Sequence, residues 1–308
     1  MKKYLSSVLF IIAAMLWGFA FAAQKVAAAL SPFVIGSVRS IVGALFLLAV
    51  IPLLDKLIGN GRRLISRHGL DFTKSELIGG TVCGIILATA SAFQQIGIGE
   101  GTDAGKAAFI TALYVVMVPI ISLAMKKRAP ANVYISVVIA VVGFYFLCIK
   151  DGLTLELSDT LVLICALIFA LHIIAIDFFS PRSDGVRMSC IQFLTAFLIN
   201  TVLALIFDTP IDFSAIGRVL PSLLYLGICS SGIAYTLQII GQRDANPAVA
   251  SIILSLESVF GVIGGAIFLS ERLSVREYVG CIIVFVAVIL SQLNFSSTKE
   301  KNISNKEL

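Results

Sequence analysis

Apolar runs of about 20 residues recur along the whole chain, and nothing else in it constrains the fold as strongly. One of them reads SIILSLESVFGVIGGAIFL, residues 251–269. A helix of roughly 20 apolar residues crosses a hydrocarbon core of about 30 Å. Inside that core every backbone N–H and C=O must bond within its own segment, so the runs predict spanning helices. Composition agrees: 58% of the 308 residues are hydrophobic and 13% charged, with a mean hydropathy of +1.01. A soluble domain keeps about a quarter of its residues charged. The chain has too little polar surface to cover a water-facing globule, and reads as an all-α polytopic membrane protein.

Ten spans can be placed, at about 4–27, 33–54, 76–98, 102–125, 131–149, 158–179, 187–207, 215–241, 246–269 and 275–293. The first begins with two lysines and carries A-x-A at Ala20 to Ala22, as a cleaved leader would. The internal repeat described below needs this helix, so a retained span is expected. The polar tail, 295–308, is expected to be disordered.

The net charge of +5 does not signal nucleic acid, because most Lys and Arg lie between the apolar runs. Sixteen of the 23 fall at the N-terminus, after the even-numbered spans or in the tail; six fall on the other side. The positive-inside rule then expects both termini in the cytoplasm of a bacterial plasma membrane. The remaining one is Arg39, inside the second span. The six cysteines, Cys83, Cys148, Cys165, Cys190, Cys229 and Cys281, lie in apolar segments without a CxxC pair. Neither a disulfide nor a metal site is expected from them.

The chain repeats itself. Shifted by about 144 residues, AFQQIGIGEGTDAGKAAFITALYVV lies on TLQIIGQRDANPAVASIILSLESVF. Gln94 then matches Gln238, Gly97 matches Gly241, Thr111 matches Ser255 and Tyr134 matches Tyr278. AAMLWGFAF falls near CALIFALHI, placing Trp17 on Phe169. An unbroken register of this kind marks internal duplication. Each copy holds five spans, an odd number, so the second must enter from the opposite side. The expected units are 1–150 and 151–294. Inverted repeats are an architecture of secondary transporters, with the site at the midplane between the copies.

Glu257 sits about 12 residues into the ninth span, roughly 18 Å from its start at 1.5 Å per residue. A charge at that depth is costly and faces a partner, a cavity or a function. Ser251, Ser255, Ser258, Gly261, Gly264 and Gly265 surround it, and Gly261 with Gly265 forms a GxxxG suited to close helix contact. By helical spacing Glu257, Gly261, Gly264 and Phe268 share a face. Arg39 lies at a similar depth and is its natural partner, or the partner of a substrate carboxylate. Either charge could instead lock the bundle. Neither has a charged twin in the repeat: Glu257 matches Leu113, and Arg39 falls near Gln192.

The symmetric Gln94 and Gln238 read as scaffold or as two equivalent mouths. Trp17, Tyr114 and Tyr235 either line a cavity or pack. Lys25 and Lys106 can snorkel to water. His172 reads as a bundle histidine, with Asp177 nearby toward the same helix end. Pro119 suggests a kink.

No GxSxG, P-loop, HExxH or zinc spacing occurs. The residues do resemble a family. AAMLWGFAF, Arg39, AAFITALYVVMVPIISL and NPAVASIILSLESVFGVIGGAIFLSERLS are similar to the first, second, fourth and ninth helices of the EamA type of the drug/metabolite transporter superfamily. The family's usual Glu-Pro is Glu257-Ser258 here, which is expected to leave the ninth helix straighter; Ser270-Glu271 stands where a Gly-Glu or similar pair is usual. The resemblance implies ten helices in two inverted EamA repeats and no enzyme activity. It implies secondary transport of a small metabolite by alternating access, the best guess being export of an amino acid or related compound. Uptake of a nutrient or organic cation is the alternative, and a membrane-embedded sensor or enzyme a further one. Candidate substrate-binding residues are Arg39, Glu257, Trp17, Gln94, Tyr114, Tyr235 and Gln238, with Glu257 the candidate for proton coupling. The expected partners are a small molecule, the bilayer and protons, without cofactor or nucleic acid.

Overall fold

A computed structural model describes residues 2–58, 70–127, 129–148, 156–208, 210–269 and 274–293. The tail, Ser270-Glu271 and several of the counted charges (Arg62, Arg63, Arg67, Arg128, Lys150 and Arg272 among them) lie outside the described residues.

The described residues form ten principal helices. They are α1 (Lys2–Ala27), α2 (Pro32–Ile58), α3 (Lys74–Gly99), α4 (Ala104–Ala124), α5 (Ala131–Cys148), α6 (Leu157–Phe179), α7 (Gly185–Phe207), α8 (Leu220–Gln242), α9 (Pro247–Phe268) and α10 (Val275–Gln292). Eight are long and apolar enough to cross a membrane, and α5 and α10 are shorter apolar helices. Leu45, Val138, Leu198 and Ile282 are exposed around the outside, as lipid contact requires.

Local chemistry sets the ends. Thr73 and Glu76 cap α3 reciprocally: Glu76 N donates to Thr73 Oγ1 and Thr73 N to Glu76 Oε2. Asn246 caps α9 by accepting from Ala248 N, with Pro247 as first helical residue. The eighth span starts later than its apolar pattern suggests. A separate short helix, Phe213–Arg218, is capped by Asp212. Pro221 then cannot donate back to Gly217, so the chain restarts as α8.

The ninth helix is interrupted, despite its missing proline. It breaks between Leu254 and Glu257, where Leu256 N bonds to Ile253 O and Ser258 N to Ser255 O in tight i to i+3 turns. The serines explain this. Ser251, Ser255 and Ser258 each return a hydroxyl to the carbonyl three residues back, a pattern that bends helices. The fourth helix breaks likewise at Leu113, six residues before Pro119. Glu257 and Tyr114 are thus the first residues of two half-helices.

The packing has two-fold character. α1 packs on α8 and α9, while its counterpart α6 packs on α3 and α4. α2 packs on its own counterpart α7, and α5 on α10. Five crossings in each set leave the second set upside down relative to the first. The face holding the start of α1 is here termed the N-terminal face, and the other the opposite face.

Candidate functional site

Heptad spacing puts Trp17, Ala20, Phe21 and Gln24 on one stripe of α1, and that stripe lines a chamber in the middle of the bundle. Arg39 of α2, Gln94 of α3, and Thr111 and Tyr114 of α4 complete the contribution of the first five helices. The second five supply Phe169, His172 and Ile173 from α6, Ser230, Tyr235 and Gln238 from α8, and Glu257 from α9. All seven residues singled out in the sequence therefore face one space. The cavity measures about 30 Å³ over the centres of water molecules, room for two or three waters at roughly 10–15 Å³ each. Its lining residues are all buried, and a larger occupant requires the helices to part.

Arg39 is held by α8. Its Nε donates to Ser231 Oγ at 3.2 Å and its Nη2 to Ser230 Oγ at 3.0 Å. Two features bring the helices this close. One turn beyond Arg39, Gly43 meets Gly227: a Cβ on Gly227 would lie 2.4 Å from Val42 Cγ1 and 3.1 Å from Arg39 O. Residues Leu226–Tyr235 also form a π-helical stretch, with i to i+5 bonding that resets which residues face α2. Trp17 Nε1 donates to Ser230 O at 3.2 Å, and Tyr225 Oη to Leu16 O at 2.9 Å, tying α1 to the same stretch. Trp17 and Tyr235 rings stand 4.6 Å apart, and His172 and Phe193 meet Tyr235 edge-on.

Glu257 does not pair with Arg39. Among the described residues no ion pair joins them, and Glu257 Oε1 lacks a hydrogen-bond partner although the residue is only 4% exposed. Tyr114 is its neighbouring hydroxyl, yet Tyr114 Oη is also without a hydrogen bond of full geometry, as is Gln238 Oε1. The shared stripe with Gly261 and Gly264 is buried, while Phe268 leaves the bundle and is exposed. Gly261 and Gly264 lie against α1 at Gly18 and Phe19.

The two glutamines do not sit at two separate mouths. Gln24 Nε2 donates to Gln94 Oε1, and Gln94 Nε2 to Thr111 Oγ1, each at 3.0 Å. Gln94 is thus tied into a chain on the chamber wall, whereas Gln238 faces the space with its oxygen open. The lysines do more than snorkel. Lys106 Nζ meets buried Asp159 at 2.6 Å, and Lys25 donates to Thr102 O. Asp177 pairs with Lys127 at the N-terminal face. His172 bonds through Nε2 to Gln192 and lines the chamber, which its reading as a bundle histidine did not anticipate. Gln24, Thr111 and Ser230 were also passed over; for Gln24 the heptad spacing from Trp17 was the available signal. No group of three or more His, Cys, Asp or Glu among the described residues is placed to hold a metal ion.

A model of the EamA-like transporter family matches residues 5–149 and again 157–293, one match on each five-helix set. The chain belongs to the EamA-like transporter family. As an EamA protein it is a multi-pass membrane transporter and not an enzyme. An uncharacterized transporter of Archaeoglobus fulgidus is 30% identical over 284 residues, covering 92% of this chain and 84% of its own. A second uncharacterized transporter of that organism is 35% identical over 71 residues, 23% of this chain and 26% of its own. A solved crystal structure superposes with a TM-score of 0.73 at 14% identity, over 93% of this EamA chain and 96% of its own. That likeness speaks for the fold alone.

Proposed function

We propose that this EamA protein exports a small amino-bearing metabolite, best an amino acid, across the plasma membrane by alternating access. The observation that carries the reading is the chamber itself: opposite charges, amides and aromatic rings from both five-helix sets line one space. In this proposal the units 1–150 and 151–294 move as two halves around it. Arg39 and Glu257 supply the two signs that a zwitterion matches, and Trp17, Tyr114, Tyr235, Gln94 and Gln238 form its walls. The excess of Lys and Arg on one side supports cytoplasmic termini.

Glu257 is the group proposed to couple transport to protons, since a lone buried carboxylate can exchange charge by taking up a proton. The test is flux of labelled amino acids in proteoliposomes under imposed proton gradients. Wild type should respond to the gradient, and Glu257→Gln should lose that response. Gradient-driven flux that survives unchanged in Glu257→Gln would exclude the coupling role.

A further inference from the structure

The chamber offers its two charges very differently. Arg39 has already placed Nε and Nη2 on Ser231 and Ser230. Glu257 has placed Oε1 on nothing, and Gln238 Oε1 and Tyr114 Oη lie unpartnered on the same space. All three residues are at least nine-tenths buried. An unpartnered buried acceptor is costly, and more so where it is charged. Glu257 and Gln238 thus hold acceptors open to a donor from the cargo.

We infer that the recognition handle of the cargo is its ammonium group, received by Glu257 Oε1, Gln238 Oε1 and Tyr114 Oη, and that a carboxylate on the cargo is dispensable. The inference rests on the amino-bearing reading above and narrows it. An ammonium carries three donors and a positive charge, matching three open oxygens of which one belongs to an acid. Trp17 and Tyr235 line the same space, and an aromatic lining favours a cation. A carboxylate is served less well: beside Glu257 it meets like charge, and Arg39 already spends two of its five N–H groups on serine hydroxyls. The class of cargo is therefore primary amines, with amino acids as one subset.

The chain's single tryptophan is Trp17, so intrinsic fluorescence reports occupancy of the chamber directly. Purified full-length protein is titrated with the aliphatic and polar amino acids, their carboxyl amides, their N-acetyl derivatives and the matching decarboxylated amines. Wherever an amino acid changes the Trp17 signal, its amide and amine should bind within about three-fold, while N-acetylation weakens binding about ten-fold or more. In Glu257→Gln that discrimination should shrink. If this variant does not fold, Gln238→Met, which removes a second acceptor, should weaken amines in the same direction. Amino acids binding while their amides and amines fail, or N-acetyl compounds binding as well as free amines, would overturn the ammonium assignment and leave the amino-acid reading in place. No response to any amino acid or amine, together with no flux of either in proteoliposomes, would overturn both.

Discussion

The two ends of the α2–α7 seam are built on one plan and finished with different chemistry. At each end the residues that begin one helix meet the end of the other. At the N-terminal face Arg187, in the first turn of α7, donates through Nη2 to both oxygens of Asp55 near the end of α2, at 3.0 and 3.2 Å. The N-cap Asp184 accepts from Val186 N and Arg187 N, and its own N–H is held by Glu76 Oε1. All four side chains are buried or nearly so. At the opposite face the cap residue of α2 is Ser31, and its hydroxyl donates to Asp208 at the end of α7. That contact is half-buried and involves one charge. A two-fold scaffold can thus carry two closures built from different chemistry, one with a buried ion pair and one without.

The largest effect is expected from Arg187→Ala. It leaves Asp55 buried without its guanidinium partner, a change that costs roughly 3–5 kcal/mol. Thermal unfolding in detergent should show it, and Asp55→Leu added to Arg187→Met should recover much of the loss, since apolar replacement of a buried pair is often neutral. The same single variant should raise maleimide labelling of Cys83 and Cys190, which are fully buried in α3 and α7. Unchanged stability and labelling would show that this end is not the stronger closure.

Ser31→Ala removes only a hydroxyl from a half-buried acid. Its expected cost is about 1.5 kcal/mol, the low end for a hydrogen bond to a charged group. Asp208 can turn to water afterwards, so the penalty of an orphaned buried charge does not arise. A cost equal to that of Arg187→Ala would erase the difference between the ends.

Much of this architecture is legible in the sequence, for a physical reason. Oil forbids exposed backbone, so apolar runs count helices, and an odd count per repeat inverts the copies. Arg39 and Glu257 stand out because a charge at that depth needs a cavity or a partner. The rest depends on who meets whom. Lys106 near a helix end looks the same whether it reaches water or Asp159. His172 inside an apolar run carries no sign that it will face a chamber. The break before Glu257 was hidden because serines bend α9 through local back-bonds, where a proline would have announced itself. The π-helical stretch of α8 leaves no periodic trace at all, yet it presents Ser230 and Ser231 to Arg39.

The smallest effect expected concerns Asp184, which lies between the spans. Burial pushes its carboxyl above the usual carboxylate range, with the Arg187 amide and guanidinium pulling it partly back and Glu76 adding to the rise. Among the described residues, Glu76 and Arg187 are the charged groups that face it. The folded state therefore holds this proton more tightly than the unfolded chain does. Where both states are ionised, above the raised folded value, Asp184 works against folding. That cost disappears as pH falls through the folded value toward the ordinary one. Asp184→Asn keeps a good N-cap for α7 and removes the titration. The difference in unfolding temperature, wild type minus Asp184→Asn, should rise as pH falls across that window and be level on either side. A level difference throughout would mean that the ionised cap is already fully compensated by Arg187. The strength of the N-terminal-face closure would then rest on Arg187 serving two carboxylates at once rather than on its pair with Asp55 alone.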